Sequence, residues 1–226
     1  SGHFSLIERS LSECGYTFVS IYLNPTQFDN VNDLKDYPDT LKDDLYELRE
    51  RKVNVVFMPS YTDLYPDDFS FLIEETLFSS QLCGAIRPGH YRGVLTVVMK
   101  LLNLLKPDKA YFGEKDHQQL SLIKGMVEAF FIETEIIACP TIRETDGLAM
   151  SSRNQKLSWD GRKLASKFYQ ILSSEDDDVF VAHELRSVGF MVQYVSTIDG
   201  RRYGAVVVGE GARSVRLIDN VKVGEQ

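Results

Sequence analysis

The sequence is poor in cysteine and has no long hydrophobic run, and each shortage excludes a class of protein. Its 226 residues include three cysteines, Cys14, Cys83 and Cys139, which lie far apart and form no CxxC or Cys/His pattern. This spacing favours reduced thiols over a zinc site or a disulfide framework. The most apolar stretch, VLTVVMKLLNLL, is short and interrupted by Lys100, so no membrane-spanning helix is predicted. No signal peptide is apparent, and we expect a cytoplasmic protein without a membrane partner.

Positive charge is also in short supply. The chain has 25 Lys and Arg residues against 33 Asp and Glu residues, which gives a net charge of −8. This balance argues against nucleic acid as a partner, although local basic residues can still bind small anions. Neither GxxxxGK[ST] nor GxGxxG occurs, which disfavours a P-loop and the common dinucleotide-binding loop. No Ser–His–Asp or Cys–His arrangement supports a hydrolase nucleophile.

What the chain does contain, up to about residue 145, is an alternation of strand and helix patterns. The predicted buried strands are TFVSIYLNP, VNVVFMP, KAYFGEKD and ETEIIACP. The predicted helices are YPDTLKDDLYELRERK, YRGVLTVVMKLLNLLKP and HQQLSLIKGMVEAFF. Thr40 is a candidate N-cap of the first helix, and Pro107 marks the end of the second. This alternation predicts an α/β fold with a parallel, doubly wound sheet.

The pattern changes after about Ser158. The stretch VAHELRSVGF predicts a short helix, and the strands that follow are predicted at MVQYVSTID, GAVVVG and SVRLIDNV. We therefore expect a first domain over residues 1–157 and a small C-terminal α+β domain over residues 158–226. The segments of this second domain are short and abruptly joined, so we expect residues to be missing between some of them.

The candidate site follows from the predicted sheet. Ligands of an open parallel sheet bind at the carboxyl ends of its strands, so the polar residues after each strand are the first candidates. Three segments meet this condition, namely residues 24–27, 113–119 and 141–158. The topology predicts that all three lie on one rim of the sheet.

Two of these segments carry groups suited to phosphate. Lys115 follows a glycine turn and can neutralise a phosphate, with the start of the next helix adding a positive dipole end. Ser151, Ser152 and Arg153 offer two hydroxyls and a guanidinium to oligophosphate oxygens. Simpler explanations stay open, because the glycine could only make a turn, the serines could only cap a helix, and the arginine could be solvated.

The remaining candidates are neutral amides. Asn24, Gln27 and Gln119 suit a small substrate rich in hydroxyl and carboxylate oxygens. The simpler explanation is that Asn24 and the proline after it only end a strand. His90, in RPGHYRG, could contact a phosphate or substrate, or could simply be an exposed or locally hydrogen-bonded loop residue.

Four long stretches resemble a known family, the pantothenate synthetases or pantoate–β-alanine ligases. They are VSIYLNPTQF, YPDTLKDDL, RPGHYRGVLTVVMKLLNLLKPDKAYFGEKDHQQL and PTIRETDGLAMSSRNQKLS, in the family's order, with a weaker match at RLIDNV. The resemblance implies a Rossmann-like nucleotidyl transferase fold of the HIGH-motif group. It also implies a cytoplasmic homodimer that joins pantoate and ATP, with Mg²⁺, into pantoyl adenylate and pyrophosphate. β-Alanine then attacks the adenylate and gives pantothenate and AMP.

The first residues resemble the end of the family's opening motif, P-T-M-G-A-L-H-x-G-H-x-S-L. The chain begins Ser-Gly-His-Phe-Ser-Leu, which aligns with x-G-H-x-S-L and makes His3 the second histidine of the HxGH pair. The resemblance implies a first strand, an ATP-binding loop and a first histidine ahead of Ser1. It also implies that His3 stabilises phosphates or acts as an acid.

The resemblance assigns the other roles by position. The catalytic residues would be His3, Lys115, Ser151 and Arg153. Gln27 and Gln119 would contact pantoate with support from Asn24, and Gln27 would also face β-alanine. The ATP-binding residues would be Gly113, Glu114, Lys115, Asp116, Ile142 through its backbone, Met150, Ser151, Ser152 and Arg153. The last four match a mobile loop that works like the KMSKS loop of class I aminoacyl-tRNA synthetases.

Some functional questions stay open at this point. Arg87 and His90 lie in a matching motif whose role is undecided, and no residue is predicted to be a dedicated metal ligand. The chain could be another adenylyl transferase of the HIGH group, for example one that acts on a nucleotide monophosphate, or a non-catalytic homologue that binds ATP. Gln27 and Gln119, with few extra cationic groups nearby, favour a small acid as the substrate.

Overall fold

The fold consists of two compact units. The computed structural model describes residues 2–28, 40–211 and 214–224. The N-terminal unit comprises His3–Phe112 and Gln118–Cys139, and the C-terminal unit comprises Ser1–Gly2, Gly113–His117 and Pro140–Gln226. The turn Gly113–His117 thus belongs to the C-terminal unit, although the chain segments on both sides of it belong to the N-terminal unit. The domain boundary between residues 157 and 158 stays a prediction.

The N-terminal unit alternates strands with helices, as expected. Its helices are α1 (Gly2–Glu13), α2 (Leu41–Glu50), α3 (Tyr61–Leu64), α4 (Cys83–Ile86), α5 (His90–Leu105) and α6 (His117–Ala129). Its strands are β1 (Phe18–Ser20), β2 (Val55–Phe57), β3 (Lys109–Gly113) and β4 (Glu135–Cys139). β1 and β2 are parallel, with Phe18 opposite Val55, and β3 pairs with β4. The predicted α/β class is confirmed, and the residues of the first predicted helix before Thr40 lie outside the described residues.

The helix α5 shows how the sequence sets an element's burial and its end. Residues 93–97 are buried without a break, so the first half of this helix is covered on more than one face, as its nearly continuous apolar run allows. Lys106 follows the last turn in the left-handed region, with a φ of 44°, and Pro107 cannot continue the helix. Among the described residues, no helix is both long and apolar enough to cross a membrane.

The C-terminal unit packs short helices against an antiparallel sheet. The helices are α7 (Trp159–Ala165), α8 (Phe168–Leu172) and α9 (Asp178–Ser187), and the strands are β5 (Met191–Ile198), β6 (Arg201–Val208) and β7 (Val215–Lys222). The strand order is β5-β6-β7, with both pairs antiparallel. Phe168, Leu172 and Leu185 from the helices and Val206 from the sheet are fully buried in one core.

The join between β5 and β6 is a tight hairpin. Asp199 and Gly200 connect the two strands directly, with Ile198 paired to Arg201. Both turn residues have positive φ, 50° and 71°, as a two-residue hairpin turn of type I′ requires. The abruptness of this join reflects a tight hairpin, and the expectation of residues missing between some segments stays a prediction.

Candidate active site

In the N-terminal unit, Asn24 holds the turn that carries Gln27. Its side chain is only 2% exposed, and its Oδ1 accepts hydrogen bonds from the Tyr65 hydroxyl at 2.9 Å and from Thr26 Oγ1 at 3.0 Å. Its Nδ2 donates to the Gly93 carbonyl at 3.2 Å and to Gln27 Oε1 at 3.3 Å. A buried amide with this many partners is a rigid support, and one of those partners is the Gln27 side chain that it orients.

Arg87 and His90 hold the backbone of the same glutamine. His90 Nδ1 lies 2.8 Å from the Gln27 carbonyl, and an Arg87 guanidinium nitrogen donates to that carbonyl at 3.3 Å. Another Arg87 nitrogen lies 3.1 Å from His90 Nε2. Because a guanidinium only donates, Nε2 must accept, and the Nδ1–H therefore donates to the carbonyl. The undecided role of Arg87 and His90 is thus to position Gln27.

Two adjacent glutamines at the start of α6 have different surroundings. Gln118 is buried, and its Oε1 accepts hydrogen bonds from the Tyr91 hydroxyl at 2.8 Å and the Cys83 N–H at 3.1 Å. Its Nε2 donates to the carbonyls of Phe78 and Gln81, each at 2.8 Å. Gln119, the predicted pantoate contact, is half-buried and points about 100° away around the helix. Gln118 therefore has a structural role, and Gln119 stays the predicted pantoate contact.

In the C-terminal unit, a pocket collects three of the predicted phosphate-binding residues. Its empty volume is about 330 Å³, which includes the open mouth. Its lining consists of Lys115, Leu148, Ala149, Ser151, Arg153, Asn154, Arg216, Leu217 and Ile218. Lys115 lies almost forty positions before Ser151 in the sequence, so folding alone brings these side chains to one pocket. Two cations and a hydroxyl from the predicted set are grouped as phosphate binding requires.

Local structure explains how the predicted residues reach this pocket. Lys115 lies in a 3₁₀ turn over Glu114–Asp116, and its Nζ is 3.7 Å from Asp116 Oδ2. Ser151 caps the 3₁₀ helix Ser152–Lys156, and its Oγ accepts a hydrogen bond from the Arg153 N–H at 3.2 Å. The simpler explanation of Ser151 as a cap is confirmed, and the same residue lines the pocket.

The other predicted residues lie on several elements. Gly113 ends β3, directly before the turn. The Met150 N–H donates to the Ile142 carbonyl at 2.9 Å, which closes the hairpin ahead of Ser151. His3 is exposed in the first turn of α1. Among the described residues, no three His, Cys, Asp or Glu side chains are grouped as a metal site would require.

Sequence reasoning missed two polar residues of the pocket. Arg216 lies on β7 and donates from Nε to Gln193 Oε1 at 2.7 Å. Asn154 donates to Glu144 Oε1 at 3.0 Å and to the Ala149 carbonyl at 3.1 Å. Asn154 stands directly after the predicted Arg153, so the motif could have been extended to it. Arg216 belongs to a strand far along the chain, and no local signal marks it.

Comparison with known proteins gives long matches. A family model described as pantoate-beta-alanine ligase matches residues 1–222. Pantothenate synthetase of Bdellovibrio bacteriovorus is 45% identical over 223 residues, which cover 99% of this chain and 87% of that protein. The crystal structure of a pantoate-beta-alanine ligase from Francisella tularensis, complexed with beta-gamma ATP and beta-alanine, is 44% identical with a TM-score of 0.90 and covers 98% of this chain and 85% of that one. Pantothenate synthetase from Thermus thermophilus is 33% identical with a TM-score of 0.86, over 98% and 88% of the two chains.

Proposed function

The chain belongs to the pantoate-beta-alanine ligase family, and we propose that it condenses pantoate with β-alanine at the expense of ATP. The pantoate carboxylate attacks the α-phosphorus of ATP, the bond to the β-phosphate oxygen breaks, and pyrophosphate leaves. The β-alanine amine then attacks the acyl carbon of pantoyl adenylate, and AMP leaves as pantothenate forms. The observation that carries the proposal is the grouping of Lys115, Ser151 and Arg153 in one pocket of a chain that matches the family over almost its whole length.

The C-terminal pocket is the proposed site of the ATP phosphates. Transfer of a phosphoryl-type group needs positioning and charge neutralisation more than covalent help from the protein. Lys115 and Arg153 neutralise the charge that grows on the leaving pyrophosphate, and the Ser151 hydroxyl donates to a phosphate oxygen. By the resemblance to the family, His3 stabilises phosphates or acts as an acid. The surrounding ATP contacts are Gly113, Glu114, Asp116, the Ile142 backbone, Met150 and Ser152.

The turn over Gln27 is the proposed contact for the acid substrates. Asn24, Arg87 and His90 fix this glutamine from its side chain and from its carbonyl, as the distances above describe. A preorganised amide orients the hydroxyl and carboxylate oxygens of pantoate without losing freedom on binding. Gln119 provides a second amide to pantoate, and Gln27 also faces β-alanine.

Three further properties belong to the proposal. Mg²⁺ enters with the nucleotide as the MgATP substrate, because this ion keeps several waters and binds largely through phosphate oxygens. The chain works as a homodimer, and its location is the cytoplasm. All three come from the resemblance to the family.

Substitution of Lys115 tests the assignment of the phosphate site. Lys115→Ala removes a cation from the pocket, so pyrophosphate release with ATP, Mg²⁺ and pantoate should fall by about 10²-fold or more. Lys124→Ala is the matched control, because Lys124 is exposed on α6 and outside the pocket lining. Near-wild-type release from Lys115→Ala would refute the assignment.

The same assay separates the alternative functions. Release of pyrophosphate that depends on pantoate, followed by AMP and pantothenate after β-alanine is added, identifies the ligase. Release that depends on a nucleotide monophosphate would identify another adenylyl transferase. Binding of ATP without release under either condition would identify a non-catalytic homologue.

A further inference from the structure

Two consecutive residues of β7, Asp219 and Asn220, are buried polar side chains that the reaction scheme does not use. Consecutive residues of a strand point to opposite faces, so each one serves a different neighbour. Both neighbours belong to the C-terminal unit and both carry proposed phosphate-binding residues.

Asn220 is hydrogen-bonded to the backbone of the turn that carries Lys115. Its Nδ2 donates to the Glu114 carbonyl at 2.9 Å and to the Lys115 carbonyl at 3.0 Å. Its Oδ1 accepts a hydrogen bond from an Arg201 guanidinium nitrogen. The arginine fixes which end of the amide is oxygen, so the two N–H groups must face the turn.

Asp219 is bonded to the other phosphate-binding segment. Its side chain is 1% exposed and accepts two hydrogen bonds from the Arg143 guanidinium, at 2.6 and 3.0 Å. That guanidinium stacks on the Tyr169 ring at 3.6 Å and also donates to the Gly147 carbonyl at 3.0 Å. Arg143 pairs with Ala149 in an antiparallel bridge, at the base of the hairpin that leads into Ser151.

We propose that Asp219 and Asn220 are positioning residues, which lie outside the pocket lining and set the geometry of the ATP phosphate site through hydrogen bonds. The proposal rests on the function proposed above. Asn220 fixes the backbone at Lys115, and Asp219 fixes the hairpin before Ser151 and Arg153, so one strand sets both segments. Clamps on a reacting phosphate must be held to a fraction of an ångström, and residues behind the contact supply that constraint.

Asn220→Asp is the sharpest test, because it keeps the shape and the acceptor for Arg201 but turns an oxygen toward two carbonyl oxygens. Asn220→Ala removes the same two hydrogen bonds without adding a charge, which covers the case in which the aspartate variant does not fold. Both variants should lower pyrophosphate release by on the order of 10²-fold, since a shift of about 1 Å in a positioning group has that effect. When pantoyl adenylate and β-alanine are supplied, the rate of pantothenate formation should stay close to the wild-type rate.

Arg202→Lys is the matched control. Arg202 is a buried residue of β6 that donates to the carbonyls of Leu172, Ser174 and Asp176, so it also ties a loop to this sheet, but a loop outside the pocket lining. It should lower the melting temperature while pyrophosphate release, assayed well below that temperature, is preserved.

The outcomes separate the two proposals. Wild-type release from folded Asn220 variants would overturn the inference, and so would an equal loss in both half-reactions that Arg202→Lys reproduces. If Lys115→Ala is impaired while the Asn220 variants are not, the positioning role is refuted and the proposed phosphate site still stands. If Lys115→Ala itself is unimpaired, the proposed phosphate site fails.

Discussion

Replacing Gly93 by alanine tests the link between α5 and the turn that carries Gln27. A Cβ at Gly93 would lie 2.3 Å from the Thr26 carbonyl oxygen, 2.5 Å from the Thr26 carbonyl carbon and 2.7 Å from the Gln27 nitrogen. Side-chain Cβ atoms essentially never approach another atom within 3.0 Å, and ordinary contact begins at 3.4 Å. The turn or the helix must therefore recede by roughly 0.7–1.1 Å, because the obstacle is backbone and cannot change rotamer.

The displacement has an energetic and a kinetic magnitude. Overpacking costs about 1–3 kcal/mol, and the upper end applies because the obstacle is backbone. Alanine regains about 1 kcal/mol of helix propensity, which leaves a net loss of about 2 kcal/mol. For a chain of this length the melting temperature should then fall by roughly 4–8 °C. A shift of about 1 Å at a substrate-positioning group lowers kcat/KM for pantoate by up to about 10²-fold.

The assay measures kcat and KM for pantoate and for ATP, together with thermal unfolding. Gly125→Ala is the control, because it makes the same substitution inside the helix α6 at a position with no atom within 4 Å of the new Cβ. It should raise stability by about 0.5–1 kcal/mol and leave both KM values unchanged. A Gly93→Ala enzyme with wild-type stability and an unchanged KM for pantoate would show that the close approach has no functional consequence.

Two further predictions concern the N-terminal unit. His90→Phe keeps a ring but removes the donor to the Gln27 carbonyl, a hydrogen bond that contributes about 1 kcal/mol. The KM for pantoate should therefore rise several-fold, while the KM for ATP is unchanged. Equal changes in both KM values would contradict the positioning role. The pKa of Asp67 is lowered from 3.8 to about 2, mainly by its hydrogen bond from Lys100 and also by the one from the Phe71 N–H. This carboxylate therefore stabilises the fold above about pH 4, and that stabilisation is lost as the pH falls toward 2. Acid unfolding followed by circular dichroism should therefore be less steep in Asp67→Asn over that range, and an identical profile would contradict the shift.

The sequence predicts the elements whose signals are local. The end of β4 directly before Pro140 and the end of α5 before Pro107 follow from backbone chemistry. The predicted strand TFVSIYLNP instead ends at Ser20, well before Pro25. The short helices Tyr61–Leu64, Cys83–Ile86 and Phe168–Leu172 were missed, because four or five residues contain barely one helical turn and show no period.

The site was predicted less completely, for a different reason. Lys115, Ser151 and Arg153 follow predicted strands and were found from their motifs, and their grouping in one pocket agrees with that expectation. Arg216 contributes to the same pocket from a strand of another sheet, and residue spacing carries no information about such a contact. Spacing also cannot decide which of two adjacent glutamines faces the core, a choice that only the partners of Gln118 reveal.

Because Asp219 and Asn220 point to opposite faces of β7, the chain can accept insertions and deletions beside this strand but not within it. An insertion in the connection between β6 and β7 leaves the pairing of the two strands intact, and loops accommodate such additions at little cost. A single residue inserted within β7 ahead of Asp219 would instead rotate both side chains to the wrong faces at once. We therefore expect related enzymes to vary the length of this loop freely while keeping the strand itself free of insertions and deletions.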